Sequence, residues 1–285
     1  MAGCPSSPPA PFASGLTFAG LLFAIYRSLI YYSGRFYSET LFLFLLLAAL
    51  LFYDRHFESG RTRDLVIGSF LLGLSALTRP VSLPILGILF LWWLITRRMT
   101  WTVALKSDVL AGAVTALTIT PWTIRNWVVM HHFVPVDVNG GINFYLAYNP
   151  KANGIWVDLE GDPILLPYDQ ASVDSEGFAA GLHYMRTHPE RELELLRVKN
   201  RLFWTAGDDE VVQHAPVRLV AFQRWRRTLP ALLFVLYSYL LIMLLYFAPR
   251  YRLAVEPFLI LLAAAFGGGL VELASGAWRR WREAR

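Results

Sequence analysis

Between Leu65 and Leu94 the chain runs thirty residues with a single charged side chain, Arg79, and that residue is followed at once by Pro80. A guanidinium keeps its proton in any protein setting, so placing it deep in a core or a bilayer is costly unless an anion meets it. Proline removes a backbone donor and pushes the residue before it away from helical geometry. Leu65 to Thr78 is 14 residues, about 21 Å as a helix, well short of the ~30 Å of hydrocarbon in a bilayer. A helix stopped by Arg79-Pro80 and resumed before Pro84 turns round inside that depth, where non-helical backbone is tolerated only against protein or a water-filled cavity. "LTRPVSLP" therefore reads as the floor or wall of a cavity that receives something anionic.

Composition supports a membrane setting. Hydrophobic residues make up 55% and charged residues only 16%, against about a quarter charged in soluble domains. Ten tryptophans and thirteen tyrosines suit a protein with two water–lipid interfaces to line. The net charge of +5 sits in short loops beside apolar runs and forms no nucleic-acid face. One cysteine, Cys4, excludes an internal disulfide and a cysteine-built metal site. The Pro- and Ser-rich opening, residues 1–14, is expected to be disordered and lacks the basic start of a secretory signal.

Apolar segments lie at about 15–33, 40–53, 65–78, 81–96, 108–124, 229–247 and 253–274. The expected fold is an all-α polytopic membrane protein of about seven apolar helices. Its parts would be a transmembrane core over 15–124, a mixed extracytoplasmic or interfacial segment over 125–227, and C-terminal helices with a basic tail over 228–285. Arg55, Arg61, Arg63, Arg97, Arg98 and Lys106 mark two cytoplasmic loops. "YSGRFYSETL", "LTRPVSLP" and "TPWTIRNW" then converge on the opposite face. In the middle segment, Asn139-Gly140-Gly141, Asn149-Pro150 and Asn153-Gly154 signal turns between aromatic strand-like pieces, and "HPERELELLRVKNRLFW" reads as an amphipathic helix. The basic runs "FQRWRR" and "WRRWREAR" both ask to be cytoplasmic, which requires a crossing near 205–222 where no run is apolar enough.

Four places carry candidate chemistry. Glu39 begins an apolar helix behind Ser38: it is either a dipole-favoured acid in the first turn or a carboxylate at a cavity mouth, and Arg35 could pair with it. Arg79 either snorkels or grips a phosphate or carboxylate through its planar fork. Arg125 and Asn126 stand between Trp122 and Trp127, a pattern that an interfacial aromatic belt also explains. Arg250, Arg252 and Glu256 occupy "APRYRLAVEP", which could equally be a short basic loop. His131 and His132 lack partner ligands at metal spacing, and no P-loop, dinucleotide fingerprint or Gly-x-Ser-x-Gly elbow occurs.

Taken in order, "YYSGRFYSETLF", "GLSALTRPVSLP", "TPWTIRNW" leading to "FVPVDVNGGINFYLAYNP", "RTHPERELELLRVK" and "PRYRLAVEPFLILLAA" resemble the bacterial family 39 membrane glycosyltransferases. These are GT-C enzymes related to protein O-mannosyltransferases and to the aminoarabinose transferase of lipid A. The resemblance implies a GT-C-like fold in the inner or plasma membrane. It also implies transfer of a sugar, with inversion, from a polyprenyl-phosphate donor to an extracytoplasmic lipid, glycan or protein acceptor. By motif match it makes Arg79, Arg125, Arg250 and Arg252 phosphate grips, and Glu39 a catalytic candidate at the place where relatives carry a second, extracytoplasmic acidic residue. Asn126, Asn139 and Asn149 fall on the acceptor side. Family members carry a further helix and an acidic loop ahead of the first helix seen here, so a truncated chain without the main catalytic base is expected. No cofactor is implied, and the scattered acids leave a divalent-metal requirement open. The competing readings are a transporter or flippase for an anionic lipid, and a non-catalytic binder or scaffold.

Overall fold

A computed structural model of the chain describes residues 20–260 except 22, 36, 97–98, 166–168 and 206–216, and excludes the side chains of 217–228. The expected disordered opening, the apolar segment beyond residue 260 and the basic tail lie outside the described residues, as does much of 205–222. The described residues are all-helical, with no strand.

The chain enters through a short helix α1 (Arg27–Ser33) and then builds a four-helix unit: α2 (Glu39–Ser59), α3 (Thr62–Thr78), α4 (Ile85–Thr96) and α5 (Trp101–Met130). Gly60 closes α2 in the left-handed region at φ 68°, which glycine adopts without a Cβ penalty, and this sends α3 straight back along α2. Helix α3 starts three residues earlier than its apolar run, because Asp64 in the first turn suits the helix dipole. At 17 residues it spans about 26 Å and still falls short of a bilayer's hydrocarbon. It stops at Thr78; Arg79 is extended, at φ −152° and ψ 115°, and Pro80–Ser82 form one 3₁₀ turn before α4. Pro121 lies inside α5 without ending it.

Helices α2 and α5 are long and apolar enough to cross a membrane; Pro80–Thr96 and Leu229–Leu244 are shorter apolar helical stretches. Small residues let the helices approach. Gly68 faces the Ala49 carbonyl of α2, and a Cβ on Gly73 would stand 2.6 Å from Thr118 of α5. Tyr53 donates to Ser69 Oγ at 3.1 Å, and Thr115 donates to the Ser69 carbonyl at 3.1 Å, pinning α2, α3 and α5 together. Trp92, Trp93, Phe42, Leu46 and Leu72 fill the core between them.

The remaining described helices are α6 (Gly140–Ala147), α7 (Gln170–Thr187), α8 (Pro189–Thr205), α9 (Val217–Leu244) and α10 (Pro249–Leu253). The expectation of a mixed segment with strand-like pieces is corrected here: "GGINFYLA" is helix, and the sole extended pairing among the described residues is an isolated parallel bridge, Ile155 to Phe247. The reason is tertiary. Asp174 of α7 accepts from the Gly141 and Ile142 amides at 2.7 and 3.1 Å, satisfying the open donors of α6. Gly141 and Gly177 let the two helices touch backbone to backbone. Aromatic β propensity loses to a capped, glycine-faced helix pair.

Candidate functional site

Because α2 and α3 are antiparallel, the start of α2 and the end of α3 meet at one end of the bundle. There the Arg79 guanidinium donates through Nη2 to Glu39 Oε1 in an ion pair, and through Nε to Ser38 Oγ at 3.3 Å. Glu39 is only 2% exposed, while the Arg79 side chain keeps 20% of its surface open. The second carboxylate oxygen, Oε2, is buried with no hydrogen-bond partner among the described residues. Tyr32 of α1 lies within electrostatic reach of both Glu39 and Glu256.

The third contribution comes from far along the chain. Tyr251 of α10 offers its ring to two guanidinium groups, with Arg79 Cζ at 5.8 Å and Arg250 Cζ at 5.2 Å from the centroid. Its hydroxyl lies 3.0 Å from that of Tyr246 and 3.5 Å from Arg250 Nη2. Tyr246 donates to Asn143 Oδ1 at 2.9 Å, so Tyr251 is left to donate to Tyr246 while accepting from Arg250. Burial, followed by the Tyr251 phenol, pushes the Tyr246 phenol up, keeping it a donor. Arg252 is 3% exposed, and its Nε and Nη1 have no hydrogen-bond partner among the described residues. The result is a polar line, Glu39–Arg79–Tyr251–Tyr246–Asn143, through four separate parts of the chain.

Segment 245–252 is held from outside. The Phe247 amide donates to the Gly154 carbonyl at 2.8 Å. Lys199 of α8 is fully buried, donates to the Met243 carbonyl at 3.1 Å, and lies 4.9 Å from the Tyr148 ring. That carbonyl is one of those a helix end leaves open, so the ammonium closes α9 just before the site. Burial draws the Lys199 amine down to about 8, against the pull of Glu192.

Of the residues expected from sequence, Glu39, Arg79 and Arg250 come together around Tyr251, and Arg252 is buried two residues further along α10. Arg125 does not join them among the described residues: it donates to Asn126 Oδ1 at 3.1 Å and stacks over Trp122 at 5.1 Å. Buried Asn126 donates to the Val134 and Val136 carbonyls, fastening the chain after α5. Asn139 donates to Asp137 at 3.4 Å ahead of α6. Asn149 closes α6, donating to the Tyr145 and Leu146 carbonyls. Asn126 and Asn149 hold backbone in place, whereas Asn139 bonds to a neighbouring side chain.

Sequence reasoning missed Tyr251, Tyr246, Asn143 and Lys199. Tyr251, between Arg250 and Arg252, was open to notice; the other three depend on pairings no spacing reveals. A depression of about 390 Å³ lined by Trp156, Asp158, Glu160 and Leu146 shares none of the cluster's residues. No group of three His, Cys, Asp or Glu side chains able to hold a metal occurs among the described residues. Comparison with protein-family models, curated proteins and solved structures gives no match for this chain.

Proposed function

We propose that the chain is a polytopic membrane protein of GT-C type that grips the phosphate of a polyprenyl-phosphate sugar and serves transfer of that sugar to an extracytoplasmic acceptor. The observation supporting this reading is the meeting of Arg79 and Arg250 at Tyr251, beside the Glu39 carboxylate. In the reaction, an acceptor oxygen forms a bond to the anomeric carbon and the bond from that carbon to the phosphate oxygen breaks. The electron pair leaves with the prenyl phosphate, and the acceptor's proton goes to a carboxylate, for which Glu39 is the candidate. The leaving phosphate gains charge as the bond breaks, so cations fixed beforehand stabilise the transition state more than the ground state. The apolar exposure of α5 fits a hydrocarbon surrounding: Val109, Leu117, Ile124 and Val128 all face outward. A prenyl tail could stay in lipid while its phosphate reaches the break at Arg79.

The test uses the purified chain in lipid nanodiscs with a prenyl-phosphate sugar, measuring binding and released prenyl phosphate. Arg79→Ala should weaken prenyl-phosphate binding by at least about tenfold, the scale of one charge-assisted hydrogen bond. Arg79→Lys should recover little, because an ammonium cannot reproduce the planar fork. Unchanged binding in Arg79→Ala would end the assignment. Binding without sugar release would favour the lipid-phosphate binder or transporter.

A further inference from the structure

Taking Arg79 as the phosphate grip proposed above, we propose that Glu39 is a built-in competitor for that grip, an internal anion that the incoming phosphate must displace. The Glu39 carboxylate already sits on Arg79 Nη2. It is carried at the first residue of α2, where the preceding Ser38 also touches the guanidinium at 3.3 Å. The pair is asymmetric in burial, with Glu39 shut in and Arg79 partly open. An anion therefore approaches from the arginine side and meets a cation whose charge is already answered. A buried carboxylate in that position opposes a second anion twice, by holding the donor and by repelling the newcomer. One of its oxygens also lacks a partner among the described residues, so the carboxylate is not locked in place by a full set of bonds. Once the phosphate takes Arg79, Glu39 is free to turn towards a hydroxyl of the sugar or acceptor. When Glu39 returns to Arg79, it helps expel the prenyl phosphate left behind. The ion pair thus sets both the affinity of the site and its ability to let go.

The opposite sign follows if Glu39 merely orients Arg79, because its loss would then weaken phosphate binding. Farnesyl phosphate is the probe and neutral farnesol the control, titrated into the full chain in nanodiscs. Glu39→Gln should bind farnesyl phosphate about tenfold more tightly than wild type, the scale of one charge-assisted hydrogen bond, with farnesol binding unchanged. Glu39→Asp keeps the charge but shortens the reach to Arg79, and should tighten binding by a smaller factor. The wild-type chain gives an independent readout that needs no variant. Infrared difference spectra on adding farnesyl phosphate should show the asymmetric stretch of a carboxylate leaving an arginine, and farnesol should produce no such shift. Wild-type affinity in folded Glu39→Gln, weaker binding in it, or no carboxylate shift in a wild type that does bind would overturn the competitor role alone. If neither wild type nor Glu39→Gln binds farnesyl phosphate above farnesol, the phosphate grip itself is lost.

Discussion

The bundle of α2–α5 and the segment of α6–α8 tie down their backbone with different polar side chains. In the bundle, hydroxyls fold back onto their own helices: Ser69 donates to Leu65, Thr96 to Trp92, Thr118 to Val114 and Thr120 to Ala116. In the α6–α8 segment, carboxylates and amides reach backbone that has no helix partner: Asp169 caps α7, Asp174 caps α6, and Asp162 and Asn153 accept from amides two residues on. A helix with no water beside it must settle its polar groups locally, whereas loops in water can be tied by short acidic side chains. Against that background the ion pair of Arg79 with Glu39 stands out, because it joins two helix ends inside the apolar half of the molecule.

The sharpest way to break the contrast is at Gly141. An added Cβ would lie 1.8 Å from the Asp174 carbonyl oxygen, which is backbone and has no easy retreat. Gly141→Ala should destabilise the α6–α7 pair by about 3 kcal/mol. Limited proteolysis should find new cuts between residues 137 and 187 while α2–α5 stay protected. Gly140→Ala, with nothing within 4 Å, should leave the proteolytic pattern unchanged.

Lys199 tests the same segment through pH. Its amine titrates near 8 when folded, below the ordinary lysine value of 10.5. Between those values the unfolded chain holds more protons than the folded one, so this residue makes stability rise with pH across that window. The full rise is about 3 kcal/mol. Lys199→Met should abolish it, read as the difference between the two proteins in denaturant midpoints taken from pH 7 to 10.5. A wild type no more responsive to pH than the variant would remove Lys199 as the cause.

The smallest effect belongs to the bundle. Tyr53→Phe deletes one buried hydrogen bond to Ser69 and leaves the ring. It should cost about 0.6–1 kcal/mol in a bilayer-supported unfolding measurement, because Ser69 still donates to Leu65. A loss several times larger would mean that a hydroxyl reaching between helices of the bundle contributes more than the local bond Ser69 keeps to Leu65.

Legibility followed the same division. The break at Arg79-Pro80 was readable because proline geometry is local and thirty apolar residues leave one charge conspicuous. The meeting of Glu39 with Arg79 was half readable: loop charges predict that their segments share a face, but not that the two side chains pair. Helix α6 was misread as strand-like, since its aromatic run has β propensity and its cap, Asp174, lies 33 residues further on. Lys199 stayed invisible within a charged amphipathic run, where nothing marks the lysine that faces inward.

By itself the sequence determined that α3 must stop at Arg79-Pro80, which stretches are too apolar for water, and that a charge at residue 79 needs an anion. Those are consequences of backbone geometry and of the cost of transferring each side chain out of water, and both act within a few residues. Tertiary structure alone decided which anion answers Arg79, which ring both arginines approach, and which asparagines hold backbone in place. These choices depend on groups meeting across long stretches of chain, where only packing sets the distance.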